Sequence, residues 1–334
     1  AVSEGYRGLY GNPSGFASRR PELTILAPAS WAYVRPDADG VDRLMAAVKD
    51  DDDEALHSLL ADNGFGSGFQ LGIGYAGRGF GVGLFVTQDT FAARQDVDIA
   101  VLADVDAATS FQVNAVIGGA LPVRFLGVKL TLGADLRPFF LAVGSMSLED
   151  AVAAVASPSV FFSQTATGGF GLAVDLGVSL EMGAFTLGVS VRDIAPEFSV
   201  NSAALNDLLG SWSSASGAGT FRISPKVSAG VLFHPDLGSL AEFFDPLVVV
   251  EAQDIVSVIR KGESPLNMLH AGAEVKAFNF LVLRAGVSSG WLTAGVGLDL
   301  ACLEINAAAF TEELGSKPGA GGRGGIVVEA AIRL

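Results

Sequence analysis

The chain has almost nothing for redox or metal chemistry. One cysteine, Cys302, excludes an intramolecular disulfide, and three scattered histidines (His57, His234, His270) leave little for a metal centre, so neither metal nor cofactor is expected. Charge is scarce: 17% of the 334 residues are charged, and 36 acids against 21 bases give a net charge of −15. Nucleic acid rewards basic patches, so it is not an expected partner. Long apolar runs are missing as well. The longest, such as AVAAVASPSVFF from Ala151, fall short of the roughly 18–20 residues of a transmembrane helix. Ser, His and Asp occur together in any chain of this length, and no enzyme is expected.

What remains is apolarity without length. Half of the residues are hydrophobic, mean hydropathy is +0.44, and glycine occurs 42 times. Dispersed apolarity of this kind fits a membrane β-barrel, in which only alternate residues face lipid. From Gly127, VKLTLGADLR sets Val128, Leu130, Leu132, Ala134 and Leu136 against Lys129, Thr131, Asp135 and Arg137. GLAVDLGVSLE sets Leu172, Val174, Leu176, Val178 and Leu180 against Asp175, Ser179 and Glu181. In FRISPKVSAGVLF the apolar row is Phe221, Ile223, Val227, Ala229 and Val231, and Pro225 costs one ladder hydrogen bond. Towards the end the polar row runs through His270, Glu274, Lys276, Arg284, Thr293, Asp299, Glu304 and Asn306 to Glu329 and Arg333.

This pattern predicts strands near 22–34, 67–76, 78–91, 109–122, 126–139, 167–180, 183–192, 220–234, 245–255, 267–277, 279–287, 290–299, 302–311 and 324–334. That is an all-β transmembrane antiparallel barrel of about 14 strands, with long connections on one rim and short ones on the other. Three long connections read as helical, from Gly40, Ser147 and Asn201, and 95–107 reads equally as loop or strand. The acid run Asp50 to Glu54 reads as a solvated helix face. GIGYAG at Gly72 to Gly77 matches a dinucleotide fingerprint by letter only, since it sits in a hairpin with no following helix.

A basic side chain facing lipid at mid-bilayer costs about 2–4 kcal/mol. Lys129, Arg137, Arg192, Arg222, Lys226, Lys276, Arg284 and Arg333 are therefore expected to face the lumen. Asp135, Asp175, Glu181, Glu251, Glu274, Asp299, Glu304 and Glu329 are their expected partners, either bracing the barrel or lining a polar path.

The lumen of such a barrel is too wide for strand side chains to fill alone, so it needs a plug or conducts water. The segment YGNPSGFASRR at 10–20 precedes the first strand and is built for a turn, because Pro13 has a fixed φ and biases Asn12 away from helix. Residues 1–21 are read as a lumenal hatch centred on Asn12, Pro13, Ser14, Gly15, Phe16 and Ala17, and 22–334 as the barrel.

Those six residues resemble the Asn-Pro-Ala-Gly-(Leu/Met)-Ala motif of FadL-type outer-membrane transporters and their TraF/PorV-like relatives. LRAGVSSGWLTAGVGLDL followed by LEINAAAFTEELGSKPG is similar to the end of those barrels, particularly in the spirochaetal FadL-like group. The resemblance implies fourteen strands, an N-terminal hatch, and uptake of long-chain fatty acids or other hydrophobic molecules. Three features depart from the pattern: Ser14 in place of alanine, a short pre-strand segment, and a terminal Leu334 where an aromatic residue is common. The expected protein is a monomer in outer-membrane lipid, exported with a cleaved signal peptide, that passes a fatty-acid-like or other hydrophobic ligand. A non-transporting anchor or assembly partner and a general aqueous porin are the alternatives.

Overall fold

The computed structural model describes residues 1–34, 65–92, 107–146, 162–194, 197–210 and 219–334, with a few isolated positions between 46 and 55. The helices read from Gly40 and Ser147, the run Asp50 to Glu54 and the ambiguous 95–107 fall wholly or mostly outside the described residues. The strands in chain order are β1 (Glu22–Val34), β2 (Phe65–Gly77), β3 (Phe80–Ala92), β4 (Ala107–Phe125), β5 (Val128–Met146), β6 (Thr165–Met182), β7 (Phe185–Ile194) and β8 (Glu197–Ala204). They continue with β9 (Gly219–Arg222), β10 (Lys226–Phe233), β11 (Phe244–Ala252), β12 (Leu269–Ala277), β13 (Leu281–Ser288), β14 (Trp291–Leu300), β15 (Leu303–Glu313) and β16 (Gly322–Arg333).

All pairings are antiparallel. β1 pairs with β16 and β5 with β6, while β7 pairs directly with β10, so fourteen strands close a ring. β8 and β9 form a separate hairpin set against the upper part of β6. Closure pairs the ring strands edge to edge, which limits the backbone amides left unpaired in lipid. Alternation sorts the two faces as expected. On β5, Leu130, Leu132 and Leu136 point out and are exposed, whereas Thr131, Asp135 and Arg137 point in and are buried.

One rim carries tight turns at Arg78–Gly79, Leu126–Gly127 and Phe278–Asn279, each with two successive positive φ angles that match the twist of a hairpin. The ring is uneven in height. β4, β5 and β6 have 19, 19 and 18 residues, whereas β7 and β10–β14 have 8 to 10. About 9–11 tilted residues cross a bilayer, so the three long strands rise well above it. On the outer face of that extension the helix Leu205–Gly210 buries Leu205 and Leu208 against Phe111, Phe140, Ala142 and Ala166.

Two strand assignments need correction. The segment 220–234 is not one strand but β9 and β10, interrupted around Pro225, which has no amide to donate to a ladder. The phase resets there, so Phe221 and Ile223 do not continue the lipid-facing row of β10. The helix read from Asn201 begins only at Leu205, because Asn201–Ala204 pair with Thr165–Gly168 as the end of β8.

Candidate functional site

Residues 1–21 lie inside the ring. Two 3-10 turns, Gly5–Leu9 and Pro13–Ala17, pack on the inner faces of β1–β6. Asn12 organises the second turn. Its Oδ1 accepts the Ser14 amide at 3.0 Å, and its Nδ2 donates to the Val178 and Val189 carbonyls on β6 and β7 at 3.2 and 3.1 Å. Pro13 occupies the first position of the turn, where a missing amide costs nothing. Phe16 and Ser18 accept from Gly79 and Arg78 at 2.7 and 2.9 Å, which ties the segment to the β2–β3 turn. Tyr6, Leu9 and Phe16 are almost wholly buried with Ala27, Ala76, Phe85, Val116 and Ala331. Burying three such side chains contributes about 5–9 kcal/mol before ordering costs. Burial also raises the Tyr6 and Tyr10 phenols above the usual tyrosine value, so both stay neutral.

The wall is cut to this segment. Where it docks, six inward positions are glycine: Gly72 and Gly74 on β2, Gly81 and Gly83 on β3, Gly133 on β5 and Gly177 on β6. A Cβ at Gly81 would lie 2.6 Å from the Phe16 ring, and one at Gly83 2.9 Å from Leu9. GIGYAG is thus neither a nucleotide loop nor accidental, because two of its glycines make room for Tyr6 and Leu9. A glycine row opposite a pre-strand segment rich in Tyr, Leu and Phe was the available signal for Tyr6 and Leu9.

Above the segment lies a cavity of about 390 Å³. Its floor is Leu9, Tyr10 and Phe85, its apolar wall includes Val116, Leu141, Phe221 and Ile223, and its polar wall includes Gln112, Asn114, Arg137, Arg192 and Lys226. Tyr6, Tyr10 and Phe85 meet with ring centroids 5.6–5.8 Å apart. Behind the polar wall sits a buried charge cluster. Arg137 bonds Asp175 at 3.0 Å, Asn114 at 2.9 Å, and Asp193; Arg192 reaches Asp175 at 3.4 Å and the Tyr10 carbonyl. Asp135 faces Asp175 across the β5–β6 ladder, with one oxygen unpartnered among the described residues. Lys226 pairs in register with Arg192 and has no carboxylate within 4.0 Å among the described residues.

The remaining polar residues lie elsewhere on the wall. Lys129 pairs with Glu181 at 2.6 Å near the tight-turn rim. Glu274 pairs with Arg284 at 2.6 Å, Asp299 with Lys276, and Arg333 with Glu304 and with Glu329 at 3.0 Å. Glu251 lies 2.5 Å from the Ala1 nitrogen. Arg222 stands apart: it is exposed on β9, outside the closed ring and opposite Glu197.

The wall itself is interrupted beside the cluster. On its edge away from β5, β6 pairs with β8 through Thr165–Gly168 and with β7 from Val174 onward. Among the described residues, 169–173 have no ladder partner there. At this break lies an apolar cavity of about 920 Å³. It is lined by outward residues such as Leu84, Val113, Pro138, Phe140 and Leu172, by Phe139 and Gly171 of the inward row, and by Phe198 and Leu209. Phe139 and Phe198 meet at 5.2 Å, and Phe198 and Phe221 at 5.7 Å. Phe221 borders the lumenal cavity and Phe198 the outer one, so this aromatic chain partitions the two. Sequence reading missed it, since Phe198 falls in a stretch read as loop.

No protein-family model matches the chain, and no curated protein does. Among solved structures, the CymD monoaromatic hydrocarbon channel superposes with a TM-score of 0.51 at 11% identity, covering 99% of this chain and 94% of that one. The fold is FadL-like. The Pseudomonas putida toluene transporter TodX, at 13% identity, covers 98% of this chain and 93% of that one with a TM-score of 0.47. A Pseudomonas aeruginosa FadL homologue, at 10% identity, covers 98% and 93% with a TM-score of 0.43.

Proposed function

We propose that this barrel sits in the outer membrane and takes up small hydrophobic or amphipathic molecules, which enter the lumenal cavity and leave sideways through the break beside β6. The observation that carries this reading is the partition Phe139–Phe198–Phe221, with a lumenal cavity of mixed polar and apolar lining on one side and an apolar cavity on the other. Volumes of about 390 and 920 Å³ suit small-molecule ligands. Residues 1–21 act as the hatch that blocks the straight route for an apolar molecule, so such a molecule above it finds its exit in the wall. A fold alone does not fix the cargo. Lys226, with Arg192 beside it, offers a carboxylate head group a partner while a tail lies along Phe85 and Val116. This favours a fatty-acid-like amphiphile over a bare hydrocarbon.

The test is uptake of a fluorescent fatty acid by cells expressing the barrel. Phe198→Ala widens the partition and should speed uptake, whereas Phe198→Trp should slow it. Lys226→Met should impair uptake of the acid more than that of its methyl ester. Uptake indifferent to residue 198 would refute the lateral route, and a barrel that only anchors a partner would show no uptake above background.

A further inference from the structure

The N-terminal segment does not fill the ring. Its two turns lie on β1–β6 and Ala1 reaches across to β7, β10 and Glu251 of β11, so the arc β12–β15 is the part of the wall beyond these contacts. Fourteen strands about 4.8 Å apart and tilted about 40° enclose roughly 28 Å between backbones. Side chains on facing walls reduce that to about 16 Å, and a helical turn with its side chains takes roughly 10 Å of it. A crescent of about 6 Å is left beside the far arc.

The inward rows differ as that geometry requires. Beside the segment, Thr131, Asp135 and Arg137 are 1–4% exposed, and the cavities there are walled by rings. On the far arc the inward charged side chains are 24–32% exposed: Glu274, Asp299 and Glu304 against Lys276 and Arg284. At mid-height Gly272 points inward, and a Cβ there would meet nothing closer than 3.7 Å. This contrasts with the docking glycines, whose Cβ positions are taken by the segment. The charged side chains lie from Gly272 towards the tight-turn rim, and exposed charges of this kind hold water, not hydrocarbon.

We propose that the intact barrel carries a second path: a water-filled crescent along β12–β15, beside the docked segment, that conducts small ions and polar solutes. Its exposed carboxylates outnumber its exposed bases, so it prefers cations over anions. The apolar route at β6 and this polar route lie on opposite sides of the same lumen and are independent. Loss of one leaves the other.

The experiment uses the full chain with Cys302→Ser, reconstituted in planar bilayers. The unmodified barrel should conduct with a modest cation preference. Gly272→Cys treated from the aqueous phase with a bulky cationic methanethiosulfonate should roughly halve that conductance and lower the cation preference. Ala273→Cys, one residue on and facing lipid, should not respond. Thr293→Cys, also inward, reads the same path if Gly272→Cys fails to fold. A silent intact barrel overturns the proposal, as do equal responses at 272 and 273. Fatty-acid uptake measured on the same Gly272→Cys barrel should not change on modification, and a parallel loss would mean a single shared path.

Discussion

Replacing Asn12 with alanine isolates what holds the hatch. The substitution removes the acceptor for the Ser14 amide and the donors to the Val178 and Val189 carbonyls. Each lost hydrogen bond is worth about 0.5–1.5 kcal/mol net, and leaving the Ser14 amide unpaired in a buried site costs about 1–3. Together the docked state should lose about 2–4 kcal/mol, against roughly 5–9 of gross stabilisation from Tyr6, Leu9 and Phe16. The hatch should stay mostly docked but open roughly 30- to 1000-fold more often. Hydrogen exchange in detergent measures this directly. The Ser14 and Gly15 amides should exchange faster by that factor, while strand amides such as Leu132 and Val178 keep their protection. Unchanged exchange at Ser14 and Gly15 would refute the capping role of Asn12. Equal acceleration in β5 and β6 would show that the hatch is not a local element but part of the barrel's own stability.

Other outcomes follow from the same contacts. Deleting residues 1–20 removes no strand, so circular dichroism should remain strand-dominated while bilayer conductance rises well above that of the intact barrel. Arg137→Ala should lower stability to urea in lipid vesicles by about 3–5 kcal/mol, because Asp175 and Asp193 are left charged and buried; removing Asp175 as well should restore part of it. Gly81→Leu should undock Phe16 and speed exchange at Gly15 as strongly as Asn12→Ala, whereas Gly119→Leu, whose Cβ would meet only the Gly79 carbonyl at 3.3 Å, should leave the hatch untouched. Protease added to intact cells should cut in 35–66 or 193–219 before it reaches the turns near Glu181 or Lys276, which fixes the long-loop rim as the outer one.

Much of the ring was legible because alternation is a local signal. In VKLTLGADLR and GLAVDLGVSLE every second residue declares its face, and a two-residue turn such as Leu126–Gly127 keeps the phase from one strand to the next. The signal failed where the chain leaves the ring. Pro225 resets the phase, so Phe221 and Ile223 turned up beside the lumenal cavity and Arg222 on the exposed side of β9. Ala203 and Ala204 favour helix, yet the free edge of β6 offers Asn201–Ala204 ladder hydrogen bonds that a short helix start cannot match. The partition was illegible for another reason: Phe198 falls in a stretch read as a connection, and only the three-dimensional break shows that Phe139 and Phe198 meet across the wall.

The lateral path is tested most directly by seeing the cargo in place. Crystals of the barrel grown with a fatty acid brominated at its tail would locate head and tail by anomalous scattering. A lateral path puts the carboxylate near Lys226 and Arg192 and the bromine beyond Phe198, in the cavity bordered by Phe140 and Leu172. Bromine confined to the detergent belt, or lodged beside the hatch along β12–β15 with both cavities empty, would contradict it.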